Sequence, residues 1–292
     1  MKREWQGSTD GSGWMQRQLI NCFRFLNIRI YYIAVALVVP FYMLFGSGFK
    51  PSYSYFRRRL GKSTPAALWL CYKNHLLFGM VMIDRFAAYA GKEFTITVEG
   101  QQLFDRLEES PDAFVILSSH MGCYEIGGYR LKSSRKRHWA LVYAGETATI
   151  MENRRRQFAR TGVEMIPLRE DMGHLFEINN AIVNGDIVSM PADRLHGSEK
   201  SVECALLGAK AELPAGPFTV IAQRSLNALA IFVMKVGVYD YRLYVKSLPN
   251  PDEGLPRRER LRILAEGYAG CIEQILAEYP CQWFNFYNYW KS

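Results

Sequence analysis

An α/β fold with a mainly parallel central sheet flanked by helices is predicted by two features of this 292-residue chain. Continuous apolar runs of strand length, "AFVILSS" at 113–119, "HWALVYA" at 138–144 and "DIVSMPA" at 186–192, show the pattern of strands covered on both faces. Stretches with helical spacing lie between them, and strands that alternate with helices pair in parallel. In such sheets reactive groups gather in loops at the carboxyl ends of the strands.

The amino-terminal part has a different character. Residues 30–49, "IYYIAVALVVPFYMLFGSGF", carry no charge, and about 20 such residues are enough for a helix to cross a hydrocarbon core. Pro40 and Gly46-Ser47-Gly48 shorten the strongly apolar part, so a membrane-embedded and an interfacial helix are both open readings. Arg17, Arg24 and Arg29 precede the segment, and Lys50, Arg57, Arg58 and Arg59 follow it. This balance sets no orientation and suits a shallow helix whose flanks both meet anionic headgroups. A cleaved leader is not expected, because the apolar stretch starts late and lacks a small-x-small cleavage site. The chain thus divides into a membrane-associated segment, 1–62, and a main domain, 63–292.

Within the main domain, Leu68, Cys71, Leu76, Leu77, Val81 and Ile83 give 63–91 helical spacing. "FTITVEG" at 94–100 alternates like a strand and Gly100 ends it. After the second apolar run come a basic helix (148–161), a short strand (162–168) and a helix closed by Gly185 (173–185), leading into the third run. "GPFTVIAQRS" reads as a helix, "ALAIFVMKVG" and "YRLYVKSL" as strands, and 256–280 as a long amphipathic helix stopped by Pro280.

Composition narrows the partners. A 49% hydrophobic content fills a sizeable core, and a net charge of +8 favours nucleic acid, an anionic membrane or an acidic carrier protein. Nucleic acid has no further support, since no recognition motif for it is present. The six cysteines include no Cys-x-x-Cys pair, and His75, His138, His174 and His196 lack metal-ligand spacing, so reduced thiols and no metal are expected. Nucleophile-elbow, phosphate-loop and dinucleotide fingerprints are also missing.

The chemistry concentrates in "SSHMGCYEIGG", 118–128, where an apolar strand gives way at once to His120, Gly122 and Glu125. A histidine at a strand end can take a proton from an attacking hydroxyl, and a carboxylate can hold its tautomer. On a continuous helix a spacing of five puts two side chains about 140° apart, so His120 and Glu125 meet only if the backbone bends, which Gly122 permits. A capping histidine and a solvated first-turn acid are the other reading.

His120-Met121-Gly122-Cys123-Tyr124-Glu125 resembles the His, four residues, acid motif of membrane glycerolipid acyltransferases. The whole block is similar to that of the late acyltransferases of bacterial lipid A biosynthesis, the lauroyl and myristoyl transferase family. "NGDIVSMPADRLHG" at 184–197, "LLGAKAELPAGPFTVIAQRS" at 206–225 and the terminal "YPCQWFNFY" resemble later blocks of that family in the same order. Leu207 stands where the family has an aromatic residue, and Met190 to Arg194 lack its Asp-Gln pair. Both departures bear on the acceptor.

The resemblance implies direct acyl transfer to a hydroxyl or amine of a lipid, with His120 as base, Glu125 as its partner and no covalent acyl-enzyme. Acyl carrier protein or acyl-CoA is the implied donor, no cofactor is required, and the acceptor is a lipid A precursor at the cytoplasmic face of the bacterial inner membrane. An aminolipid, a lysophospholipid or a polyene pigment precursor is the alternative acceptor, and a non-catalytic membrane scaffold the alternative class. Cys123 is read as structural. Backbone amides near Gly122 and an arginine, with Arg169 in view, are candidate oxyanion donors. Asp193 and Arg194 are expected to position substrate or to form a structural ion pair. Arg154, Arg155, Arg156 and Arg160 either bind headgroup phosphates or the acidic face of the carrier protein, or form a solvated helix face. The aromatic tail, Trp283 to Trp290, rests at a membrane interface or packs on the domain.

Overall fold

The computed structural model describes residues 13–23, 26–127, 130–143, 145, 147–168, 172–195 and 200–290. Strand β1 (Thr95–Glu99) is followed by helix α5 (Gln101–Glu109) and β2 (Phe114–Ser118). Short helix α6 (Tyr124–Gly127), β3 (His138–Tyr143), α7 (Ala148–Ala159), β4 (Val163–Leu168), α8 (Gly173–Val183) and β5 (Ile187–Pro191) come next. A hairpin, β6 (Ser201–Leu206) and β7 (Ala209–Pro214), precedes α9 (Ala215–Arg224), β8 (Asn227–Lys235), β9 (Asp240–Ser247) and α10 (Arg257–Glu278).

Seven strands form one sheet in the order β1-β9-β8-β2-β5-β3-β4. Every pairing in it is parallel except β8 with β9. Strand β2 lies at its centre, and its side chains feed two cores in alternation. Val115 and Leu117 enter the cluster that holds α9 and α10, whereas Phe114 and Ile116 enter the one that holds Phe104, Leu243 and Phe284. Each such side chain contributes roughly 1.5–3 kcal/mol of burial, which is why the run carries no polar alternation. The α/β fold expected from the apolar runs is the one observed.

Helix α5 and the hairpin were not foreseen. The hairpin strands alternate in burial, with Ser201, Glu203, Ala205 and Lys210 exposed and Cys204, Leu206, Ala211 and Leu213 buried, and the turn between them places Leu207 and Gly208 both at positive φ. It forms a separate two-stranded sheet beside α10.

The amino-terminal region contributes α1 (Gly13–Cys22), α2 (Ile28–Phe45), α3 (Phe49–Ser54) with a π-helical extension Tyr55–Arg59, and α4 (Thr64–Tyr89). Helices α2 and α4 are each long and apolar enough to cross a membrane. They lie against one another, and α2 leaves Ile33, Leu37, Phe41 and Phe45 between 63% and 85% exposed. The opposite face of α2 is fixed to the main domain. Tyr32 donates to Asp84 of α4, and the Lys235 ammonium at the end of β8 lies 2.6 Å from the same carboxylate and 2.9 Å from the Tyr32 hydroxyl.

Candidate active site

Strand register brings the site together. In the β2–β5 ladder Ser118 pairs with Pro191, and the amide of Ala192 donates to the Ser118 carbonyl at 3.0 Å. His120 and Asp193 each lie two residues past that rung, at the carboxyl ends of adjacent parallel strands. The Asp193 carboxylate receives the His120 backbone N–H at 2.7 Å with one oxygen and meets Nδ1 of the ring at 2.8 Å with the other. Asp193 is fully buried and the imidazole is 29% exposed, so the pair has a dry carboxylate behind an accessible ring.

This contact fixes the chemistry of the ring. A carboxylate on Nδ1 selects the tautomer protonated there, which places the lone pair on Nε2. Burial alone would raise the Asp193 pKa. The charge of His120 and its hydrogen bonds, with Arg194 nearby, outweigh burial and hold the carboxyl below its usual range.

The bend after His120 depends on Gly122. Its φ is +57°, and a Cβ there would stand 1.9 Å from the Val233 carbonyl oxygen of β8. The turn is also fastened to the chain's end. The Gly122 amide donates to Gln282 at 2.9 Å, the Cys123 amide to Val233 at 2.8 Å and the Phe284 amide to the His120 carbonyl at 3.3 Å. The amides of Gly122 and Cys123, expected as oxyanion donors, are thus already engaged in holding the backbone. Burial pushes the Cys123 thiol up to about 12, which leaves it a protonated packing group. The tail packs on the domain, with Trp283, Phe284 and Tyr289 buried.

The expected pairing of Glu125 with His120 is replaced by another. Glu125 is buried on α6, and its carboxylate accepts from Arg154 of α7 at 2.7 Å, from Tyr89 of α4 at 2.6 Å and from Arg85 of α4 at 3.4 Å. It therefore joins three helices. Burial would raise its pKa, but the charges of Arg154 and Arg85 bring it down to about 2. Arg154, expected to face phosphates or a carrier protein, is 4% exposed and turned inward to this carboxylate. Its neighbours Arg155 and Arg156 point outward and pair with Glu152.

Arg194 donates to the Phe284 carbonyl at 2.7 Å and lies over the Tyr287 ring at 5.8 Å, beside the histidine pair. Arg169 lies outside the described residues. Of the residues expected at the site, the structure thus brings together His120, Gly122, Asp193 and Arg194, and carries Glu125 and Arg154 into a separate buried cluster. Tyr89 and Arg85, the other members of that cluster, had no signal in local spacing, because they lie far along the chain from Glu125. Among the described residues no group of three or more histidines, cysteines or acids is placed to hold a metal ion.

An accessible imidazole backed by a buried carboxylate, at the carboxyl edge of a parallel sheet, is a group able to take a proton from an attacking hydroxyl or amine. The family described as bacterial lipid A biosynthesis acyltransferase matches residues 74–292, which include this whole sheet and the site, and the chain belongs to that family. The protein is accordingly an acyltransferase acting on lipid. A search of curated proteins found no match.

Proposed function

We propose that the protein moves a fatty acyl chain from the thioester of acyl carrier protein, or of acyl-CoA, to a hydroxyl or amine of a lipid A precursor. Residues 63–292 act as the catalytic domain, and residues 1–62 associate it with the cytoplasmic face of the bacterial inner membrane. The observation that supports this reading is the doubly held His120–Asp193 pair.

The acceptor O–H or N–H gives its proton to Nε2 of His120 as its heteroatom attacks the thioester carbonyl. Asp193 stabilises the imidazolium that forms. The tetrahedral intermediate then expels the thiolate, and the imidazolium returns the proton to sulfur, leaving a free thiol and an acylated lipid. No covalent acyl-enzyme intervenes. With the Gly122 and Cys123 amides engaged, Arg194 is the cation assigned to the developing oxyanion. Glu125 acts as a positioning residue, keeping α6 and α7 in place beneath the turn that carries His120. The exposed apolar face of α2, flanked by basic residues, supports membrane association.

Incubation of the purified full chain with labelled acyl carrier protein and a panel of lipid acceptors tests the reading. Label is expected in a lipid A precursor and is expected to vanish in His120→Ala. Absence of transfer to any lipid, from either donor, would overturn it.

A further inference from the structure

Helices α1 and α7 leave between them an open groove of about 650 Å³. Arg17 and Asn21 of α1 line one side, Thr149, Glu152 and Arg156 of α7 with Arg160 just past its end line the other, and Tyr89 to Gly91 at the end of α4 complete the lining. The walls thus carry three arginines against a single carboxylate among the described lining residues. Glu152 is bound to Arg156 at 2.8 Å, and Arg17 donates to Thr149 at 3.1 Å across the groove. Guanidinium forks from two helices, with neutral donors beside them, match the oxygens of a phosphate group.

The groove lies at the foot of the apolar helix. Ile20, also in its lining, packs with Phe23, Ile28 and Tyr32, where α1 passes into α2. The exposed stripe Ile30, Ile33, Leu37 and Phe41 starts in the first turns of α2, on the face turned away from Ile28 and Tyr32. A phosphate seated among the arginines therefore lies by the end of α2 at which its exposed apolar stripe begins. That juxtaposition fits an amphiphile and gives a soluble phosphate no added contact.

We propose that this groove binds the phosphate headgroup of an anionic membrane lipid, with its acyl chains lying along α2. Such a site belongs with the membrane-associated lipid enzyme proposed above, but vesicle binding is read without acyl donor, so its failure and a failure of acyl transfer are separate results.

Cosedimentation of the full chain with phosphatidylcholine vesicles, with and without phosphatidic acid, tests it. The unmodified protein should prefer phosphatidic acid. Arg17→Gln with Arg160→Gln should weaken binding to those vesicles about twenty-fivefold, from about fivefold for each arginine withdrawn from an anionic surface. Its binding to pure phosphatidylcholine should not change. Arg160→Gln alone should give about fivefold, and Arg155→Gln, exposed on α7 outside the groove, should give no change. Both groove arginines lie at the surface, so equal melting temperatures should show that the variants fold. No preference for phosphatidic acid, or an equal loss in Arg155→Gln, would overturn the site. Tight binding of soluble glycerol phosphate without vesicle preference would overturn the lipid source. Loss of acyl carrier protein binding in the double variant, with vesicle binding intact, would overturn it in favour of a protein partner.

Discussion

Asp193 holds His120 at two points at once, the backbone amide at 2.7 Å and ring Nδ1 at 2.8 Å. Two acceptors on one rigid carboxylate fix both the position and the tautomer of the imidazole. Asparagine offers one acceptor and one donor in the same shape. With its oxygen on the backbone N–H, its amide faces Nδ1 and drives the ring proton onto Nε2, the atom proposed to accept one from the acceptor. Asp193→Asn should therefore lower kcat by about 10²–10⁴ with little change in KM, as should His120→Ala. The double variant should be no slower than His120→Ala, because the two residues act as a unit. Steady-state acyl-transfer rates check all three.

Glu125→Gln should behave differently. The carboxylate bridges Arg154 and Arg85 inside the protein, and removing one side of a buried ion pair costs about 3–5 kcal/mol. The expected result is a large loss of stability in denaturant unfolding. Residual folded enzyme should retain the pH profile set by His120 and Asp193, whereas a Glu125 that oriented the base directly would shift that profile.

Acid should destabilise the fold in two steps. Burial lowers the His138 pKa from 6.5 to about 4, so the unfolded chain binds a proton there that the native one does not, and stability falls as pH drops from about 6.5 to 4. Glu125 is depressed from 4.5 to about 2, so its contribution is complete above about pH 4.5 and is lost as pH falls through about 2. His138→Gln should flatten the upper step and Glu125→Gln the lower one. Unfolding midpoints measured from pH 7 to 2 check both.

How much of this was legible in the sequence depended on whether the cause was local. Strand β2 announced itself because both its faces are buried, and α10 because its apolar stripe has helical spacing. The β6–β7 hairpin did not, since Ala205 stands at an exposed position of β6 and blurs the alternation, and its turn uses Leu207 at φ +51°, a conformation unfavourable for leucine. His120 was legible as a polar residue ending an apolar run. Its true partner was not. Asp193 is 73 residues away, and only the pairing of β2 with β5 puts the two side by side. Glu125 stood closer in sequence, but the bend at Gly122 sends it toward α4 and α7 instead.

That bend predicts a sensitive position. Gly122→Ala would force a side chain into a left-handed conformation, at a cost of about 1–2 kcal/mol, and push its Cβ against the Val233 carbonyl. The β8 contact and the Cys123 hydrogen bond would both shift, moving His120 from its place beside Asp193. The expected outcome is a loss of activity out of proportion to the loss of stability. Gly162→Ala is the control, since Gly162 also has positive φ, +74°, but has no atom within 4 Å of its added Cβ. It should lose about 1–2 kcal/mol and keep its kcat.

Tyr32 predicts how firmly the apolar helix is fastened. Its hydroxyl donates to the buried Asp84 carboxylate and receives the Lys235 ammonium at 2.9 Å, linking α2 to α4 and β8. Tyr32→Phe keeps the ring but takes one donor from Asp84 and one acceptor from Lys235, at a cost of about 1–3 kcal/mol for the buried group left short of a partner. Because Asp84 and Lys235 still hold each other at 2.6 Å, the sheet should remain intact and the loosening should fall on α2. Hydrogen exchange should then rise in Ile28–Phe45 while β2 and β5 stay protected. Equal protection of α2 in both proteins would show that its packing along α4, and not this hydroxyl, is what anchors it.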